Sequence, residues 1–212
     1  MPRNGLRLTR DGALVGDDHA TVARALAGTG IWVAPVDLSG EPGEIKTLLA
    51  KQRLSDAENA LLCARFTLSR EALLETIAEA GRAPHVPGGG ALDSYCIETA
   101  MAYPAFRTLD PAMDFSGFVP FHVNRAEDGS GTDEVGHVVS GGEMKYRFVR
   151  PEGIYLLAMG CPTPDLAWRF TFDGGAPHGG LFDNVSAGTK VMVQAIGPEQ
   201  FHMRYVGEQA SR

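Results

Sequence analysis

The second half of the chain is written in a period of two. MKYRFV (144–149) sets Met144, Tyr146 and Phe148 against Lys145 and Arg147. LAWRFTF (166–172) sets Leu166, Trp168, Phe170 and Phe172 against Arg169 and Thr171, and QFHMRYV (200–206) sets Phe201, Met203 and Tyr205 against His202 and Arg204. Successive side chains of a strand point to opposite faces, so each run reads as a half-buried β-strand. GIYLLAMG (153–160) and KVMVQAIG (190–197) are almost wholly apolar, and clusters of Gly, Pro, Asp and Asn separate the runs. Short strands punctuated in this way close into an antiparallel sandwich or barrel.

The first hundred residues lean helical. DDHATVARALAG (17–28) places Val22, Ala25 and Leu26 on one face and ends at Gly28. LSDAENALLCARF (54–66) carries Ser55 with Glu58 three places on, a capping-box pattern. LSREALLETIAEAGR (68–82) has Ser69 to cap it, Leu73, Leu74 and Ile77 along one face, and Gly81 to end it. IWVAPVDL (31–38) reads as a short strand. PHVPGGG (84–90) cannot continue a helix and is either a hinge or a loop folded over a pocket. The expected organisation is one unit, with a helical N-terminal elaboration over 1–90 packed on a β-barrel over 91–212.

Net charge is −7 and the isoelectric point about 5.3, which argues against nucleic acid and anionic membrane as partners. No apolar run is long enough to span a bilayer, and MPRNGLRLTRDGALVGDD has no apolar core of a signal peptide. Cys63, Cys96 and Cys161 lie far apart with no C-x-x-C pair, which argues against a zinc knuckle or redox dithiol, and their odd number with no export signal suits a reducing cytoplasm.

The chemistry concentrates in two stretches. FHVNRAEDGSGTDEVGHVVSGGEMKYRF reads as His-x-Asn, a polar loop, a glutamate and a strand ending at Gly-Gly. DGGAPHGGLFDNVSAGTKVMVQAIG reads as a turn, Pro-His, a second turn, Asn and a strand. Over roughly residues 115–206 this order resembles the cupin superfamily, whose first motif runs from His-x-His through Glu to a Gly-ended strand and whose second carries a His after a Pro- and Gly-rich turn. The resemblance implies a mainly β fold with an α-helical N-terminal part, built on a cupin-like, antiparallel double-stranded β-helix barrel. It also implies a metal set of His122, Asn124, Glu134 and His178, with Asn124 standing where the family has its second His. An amide oxygen is a poorer ligand than imidazole for first-row divalent ions, so the site holds one ion (Fe, Mn, Ni or Zn) or none. His137 could compensate, but it is three residues from Glu134 on an alternating strand and so on the other face, unless a bulge intervenes.

Further candidates are Tyr103 and His137 as acid–base groups, and Arg147, Trp168, Arg169, His202 and Arg204 as substrate contacts, the arginines as carboxylate clamps if their faces look inward. Asp173 and Asp183 flank the His178 turn as turn residues or as partners orienting the imidazole. Three functions follow. The first is a metal-dependent dioxygenase acting on a small organic substrate, aromatic or carboxylate-bearing. The second is a lyase or isomerase on the same barrel, with or without metal. The third is a non-catalytic, lipocalin-like binder of an apolar ligand. Small barrels with open sheet edges pair readily, so a homodimer is expected.

Overall fold

The alternating runs do pair as antiparallel strands, and they do so in two sheets. The computed structural model describes residues 4–98, 118–181 and 189–205. In chain order its strands are β1 (Leu6–Arg10), β2 (Ala13–Gly16), β3 (Trp32–Asp37), β4 (Ala91–Glu98), β5 (Phe118–Arg125), β6 (Asp133–Ser140), β7 (Met144–Arg150), β8 (Gly153–Met159), β9 (Leu166–Asp173), β10 (His178–Leu181), β11 (Lys190–Gly197) and β12 (His202–Tyr205). The helices are α1 (His19–Leu26), α2 (Gly43–Ala50), α3 (Asp56–Phe66) and α4 (Arg70–Glu79). A seven-stranded sheet runs β12-β5-β10-β7-β8-β1-β2 and a five-stranded sheet β3-β9-β6-β11-β4.

The fold is thus mainly antiparallel β with few helices, as expected, but the sheets are not closed into a barrel. Closure needs ladder hydrogen bonds carried from one sheet into the other. Among the described residues each ladder stays within its own sheet.

The inner faces of the two sheets make the core. Leu6, Leu8, Met144, Tyr146, Phe148, Tyr155, Leu157 and Met159 come from one side, and Val33, Val138, Trp168, Phe170, Phe172, Val191 and Val193 from the other. Its centre is aromatic, with Tyr146 4.7 Å from Phe170 and Phe148 5.0 Å from Phe172 between ring centroids. Gly136 makes room for it, because a Cβ there would lie 2.3 Å from the Phe170 ring.

Helices cover the other face of the five-stranded sheet. Ile45, Leu48, Leu49, Leu62 and Phe66 pack on Val139, Ala167 and Met192, while Leu73 and Ile77 pack on Val135 and Ile196. β11 is therefore buried along its whole length, the physical reason KVMVQAIG is almost wholly apolar. Among the described residues β7 has no such cover, and it alternates between buried and half-buried positions.

The caps read from sequence are in place. Ser55 and Glu58 form a reciprocal capping box on α3, and Ser69 accepts from the Ala72 amide on α4. The N-terminal part is less helical than its sequence suggests. β1 and β2 form a hairpin turning at Asp11 and Gly12, both with positive φ (51° and 82°), and Leu6 and Leu8 are fully buried. Asp-Gly between two short runs is a two-residue hairpin signal, but each run is so short that the alternation is hard to read. β3 adds to the five-stranded sheet beside β9. The odd cysteine count suggested a reducing compartment; Cys63 is disulfide-bonded and Cys161 is free. Burial pushes the Cys161 thiol up to about 12, which leaves it a poor nucleophile.

Candidate metal centre

Asp173, Gly174 and Gly175 set the approach to the site. The Asp173 carboxylate accepts from the Gly175 amide at 2.7 Å and its carbonyl from the Ala176 amide at 3.2 Å, closing a turn that delivers Pro177 and His178 into β10. The short β10 pairs with β5 so that His178 faces His122, and the rings are 4.2 Å apart, inclined by 59°. His122 and Asn124 are two apart on β5 and share the inner face. Glu134 comes from β6 in the opposite sheet. All four side chains are buried, between 2% and 6% exposed.

A backbone carbonyl fixes the state of one imidazole. His178 Nδ1 is 2.8 Å from the Ala176 oxygen. A carbonyl can only accept, so Nδ1 carries a proton, and in the neutral imidazole the free lone pair is on Nε2. That Nε2 lies 3.5 Å from Glu134 Oε1. The Asn124 amide Nδ2 donates to the same Oε1. Among the described residues no Lys or Arg contacts Glu134, so a buried carboxylate stands without a fixed cation.

The donor atoms of His122, Glu134 and His178 all lie within 4.8 Å of one another. Donors about 2.1 Å from one ion are about 3.0 Å apart when adjacent and about 4.2 Å when opposite, so the set closes on a first-row ion with small side-chain movements. Two imidazoles and a carboxylate are also the donor types such ions take. The residues present fit a divalent metal.

The walls differ. Phe172, beside Glu134 on the neighbouring strand, lies 4.7 Å from His178 and joins the site to the aromatic core. On the other side Gly174 leaves space: a Cβ there would meet Thr132 Oγ1 at 2.8 Å and Glu134 Oε1 at 3.1 Å. PHVPGGG is pinned at this end of the sandwich. The His85 amide donates to Asp133 at 3.1 Å and its ring bonds Asp173 at 2.5 Å, while Arg82 pairs with Asp133. Burial works to raise the Asp173 carboxyl, but the His85 hydrogen bond and charge, the Gly175 amide and Arg82 together hold it below its ordinary value.

Other sequence candidates lie elsewhere. His137 is on the face of β6 away from Glu134, 6.3 Å from the Phe66 ring, and accepts from Arg169 Nε at 2.8 Å. No bulge brings it into the site, and Arg169 is occupied with it on the helix side of the five-stranded sheet. Trp168 packs in the core toward α1, its Nε1 donating to Gly160 at 2.9 Å. Arg147, His202 and Arg204 are on the outer face of the seven-stranded sheet: the Arg147 guanidinium lies 5.7 Å over Phe121, Arg204 donates to the Ala126 carbonyl at 2.9 Å, and His202 is exposed. Their faces look outward, so they are no clamp for a ligand between the sheets. Tyr103 and Asp183 lie outside the described residues. Sequence reasoning missed Gly174, Thr132 and His85. The Gly-Gly before Ala176 and the Thr-Asp-Glu run were the signals available.

No protein-family model matches the chain, and no curated protein matches its sequence. A solved structure does: acireductone dioxygenase from Bacillus anthracis, with a cadmium ion in its active centre, superposes with a TM-score of 0.57 at 15% identity, covering 94% of this chain and 97% of that one. That protein has the cupin fold, and at this identity the likeness is one of fold.

Proposed function

We propose that the chain is a metal-dependent enzyme of cupin fold, most consistent with a dioxygenase acting on a small organic substrate. The convergence of His122, Glu134 and His178 carries this reading, since donors from two sheets meet in a buried place. The neighbour of the same fold, a dioxygenase with a metal ion in its active centre, supports it. A bound divalent ion would supply Lewis acidity and open coordination positions at which an oxygen-donor substrate and dioxygen are held together. The protein's own part can be derived from its residues. His122, Glu134 and His178 would hold the ion, and Ala176 keeps His178 in the tautomer that offers Nε2. Phe172 and the rings behind it exclude water from one side.

Elemental analysis of the purified protein tests the proposal, followed by reconstitution of apo-protein with Fe, Mn, Ni or Zn. About one equivalent of ion, lost in Glu134→Ala and His178→Ala with folding retained, is the expected result. Substoichiometric metal in the wild type after reconstitution would end it.

A second reading is a lyase or isomerase working by proton transfer. The 3.5 Å approach of His178 Nε2 to Glu134 Oε1 favours it, since an imidazole and a carboxylate so placed can share a proton. Turnover that survives chelation separates it from the first. The binder reading loses ground because aromatic side chains fill the apolar part of the inter-sheet space.

The partner is then a small molecule. No helix among the described residues is long and apolar enough to cross a membrane. We read the chain as one folding unit, because β1, β2 and β3 are ladder members of the two sheets. A homodimer paired along sheet edges is part of the proposal, checked by sedimentation. A cytoplasmic location is part of it too, checked by whether Cys63 is a free thiol in protein prepared with thiol oxidation blocked.

A further inference from the structure

We infer that Asn124 is a positioning residue for the Glu134 carboxylate and not a metal ligand, so that the protein supplies three donors to the ion. This rests on the metal reading above and concerns a different atom. Asn124 shares the inner face of β5 with His122 and is buried at 6% exposure, so from its place alone it would be a fourth donor. Its contacts say otherwise. The amide Nδ2 donates to Glu134 Oε1. The opposite orientation would set an amide oxygen against a carboxylate oxygen, two acceptors with no proton between them, so the nitrogen must face the glutamate. The amide oxygen then diverges from Oε1, the atom around which His178 Nε2 is also placed at 3.5 Å.

The backbone holds this arrangement. The Asn124 N–H donates to the Gly174 carbonyl at 2.7 Å, so the residue that leaves space beside Oε1 also anchors the residue that bonds it. Each carboxylate oxygen has two lone pairs. Asn124 takes one on Oε1 and leaves the other for the ion. The amide orients the carboxylate and draws charge from it, while a divalent ion keeps more open positions than a four-donor site would leave.

Manganese(II) alone is the probe, added to metal-free protein. Chelator competition gives the affinity, water-proton relaxation gives the number of fast-exchanging waters on the bound ion, and circular dichroism follows folding. In Asn124→Ala the expected water number equals that of the wild type, while affinity falls about 10- to 100-fold through loss of the carboxylate's partner. In Asn124→His a new donor displaces one water and affinity rises about tenfold or more. A water number that rises by one in Asn124→Ala means that the amide oxygen was a ligand, and overturns the inference while leaving the metal reading intact. If Asn124→Ala does not fold, Asn124→His decides: an unchanged water number with tighter binding overturns the inference, because the new imidazole would only have replaced a ligand. Wild-type protein that leaves manganese at its free-ion relaxation ends both readings.

Discussion

Glu134 and His137 stand three residues apart on β6, both buried, on opposite faces of one strand. Glu134 looks into the space between the sheets and is met by an amide and an imidazole. His137 looks toward the helices and is met by Arg169 Nε at 2.8 Å. Burial, and then the charge of Arg169, push the His137 imidazole down to about 3, so it stays neutral with its Nε2 lone pair already engaged. His178, as deeply buried, spends a proton on Ala176 and keeps Nε2 turned toward Glu134. Burial therefore does not separate the two histidines; what separates them is that His178 Nε2 faces another candidate ligand while His137 Nε2 is taken by Arg169.

Removing a proposed ligand tests the comparison hardest. Glu134→Ala and His178→Ala are expected to weaken manganese binding by about two orders of magnitude or more, while His137→Ala leaves it within about twofold. Chelator competition measures both, and equal losses on the two faces would break the contrast. Stability should invert the order. His137→Ala leaves the Arg169 Nε without its partner and opens a void beside Phe66, costing about 2 kcal/mol in urea denaturation. Glu134→Gln in metal-free protein should cost less or stabilise, because it removes a charge that lacks a fixed cation.

Acid should act through His137 as well. Its folded pKa is pushed down to about 3, below the ordinary imidazole value of 6.5, so the unfolded chain binds the extra proton first. The contribution is whole above the unfolded value and drains away as pH falls toward the folded one, at about 1.4 kcal/mol per pH unit within that window. His137→Phe should flatten that part of the stability curve in urea titrations, and a curve unchanged by the substitution would show that the imidazole is not held neutral.

Gly174→Ala should cost about 1 kcal/mol or more and weaken manganese binding several-fold, since its methyl would press on Thr132 Oγ1 and Glu134 Oε1. Arg204→Ala should change stability by less than about 0.5 kcal/mol and metal affinity not at all, because among the described residues its side chain bonds the Ala126 carbonyl on the outer face.

Much of this was legible in the chain. Alternation placed Met144, Tyr146 and Phe148 inside, and Phe170 and Phe172 with them. Ser55, Glu58 and Ser69 announced their helices. The order His122, Glu134, His178 pointed to a shared site, and the three do meet. The separation of Glu134 from His137 followed from strand geometry alone. What the sequence hid were features set by partners. Arg147 and Arg204 were open to either reading until the pairing fixed which face of the seven-stranded sheet turns away from the other sheet. Asn124 was read as a donor to metal from its place in the His-x-His pattern, and its bond to Glu134 was hidden because that partner lies in another sheet. The β1–β2 hairpin escaped notice because each strand is too short to show its period.

Taken alone, the sequence determined which side chains share a face, because that depends only on the local period of an extended backbone. Tertiary structure alone decided which faces meet. The register between β5 and β10, and the stacking of β6 across from them, brought a carboxylate and two imidazoles from distant parts of the chain to one buried point. No local rule encodes that meeting, since it arises from packing two whole sheets around one aromatic core.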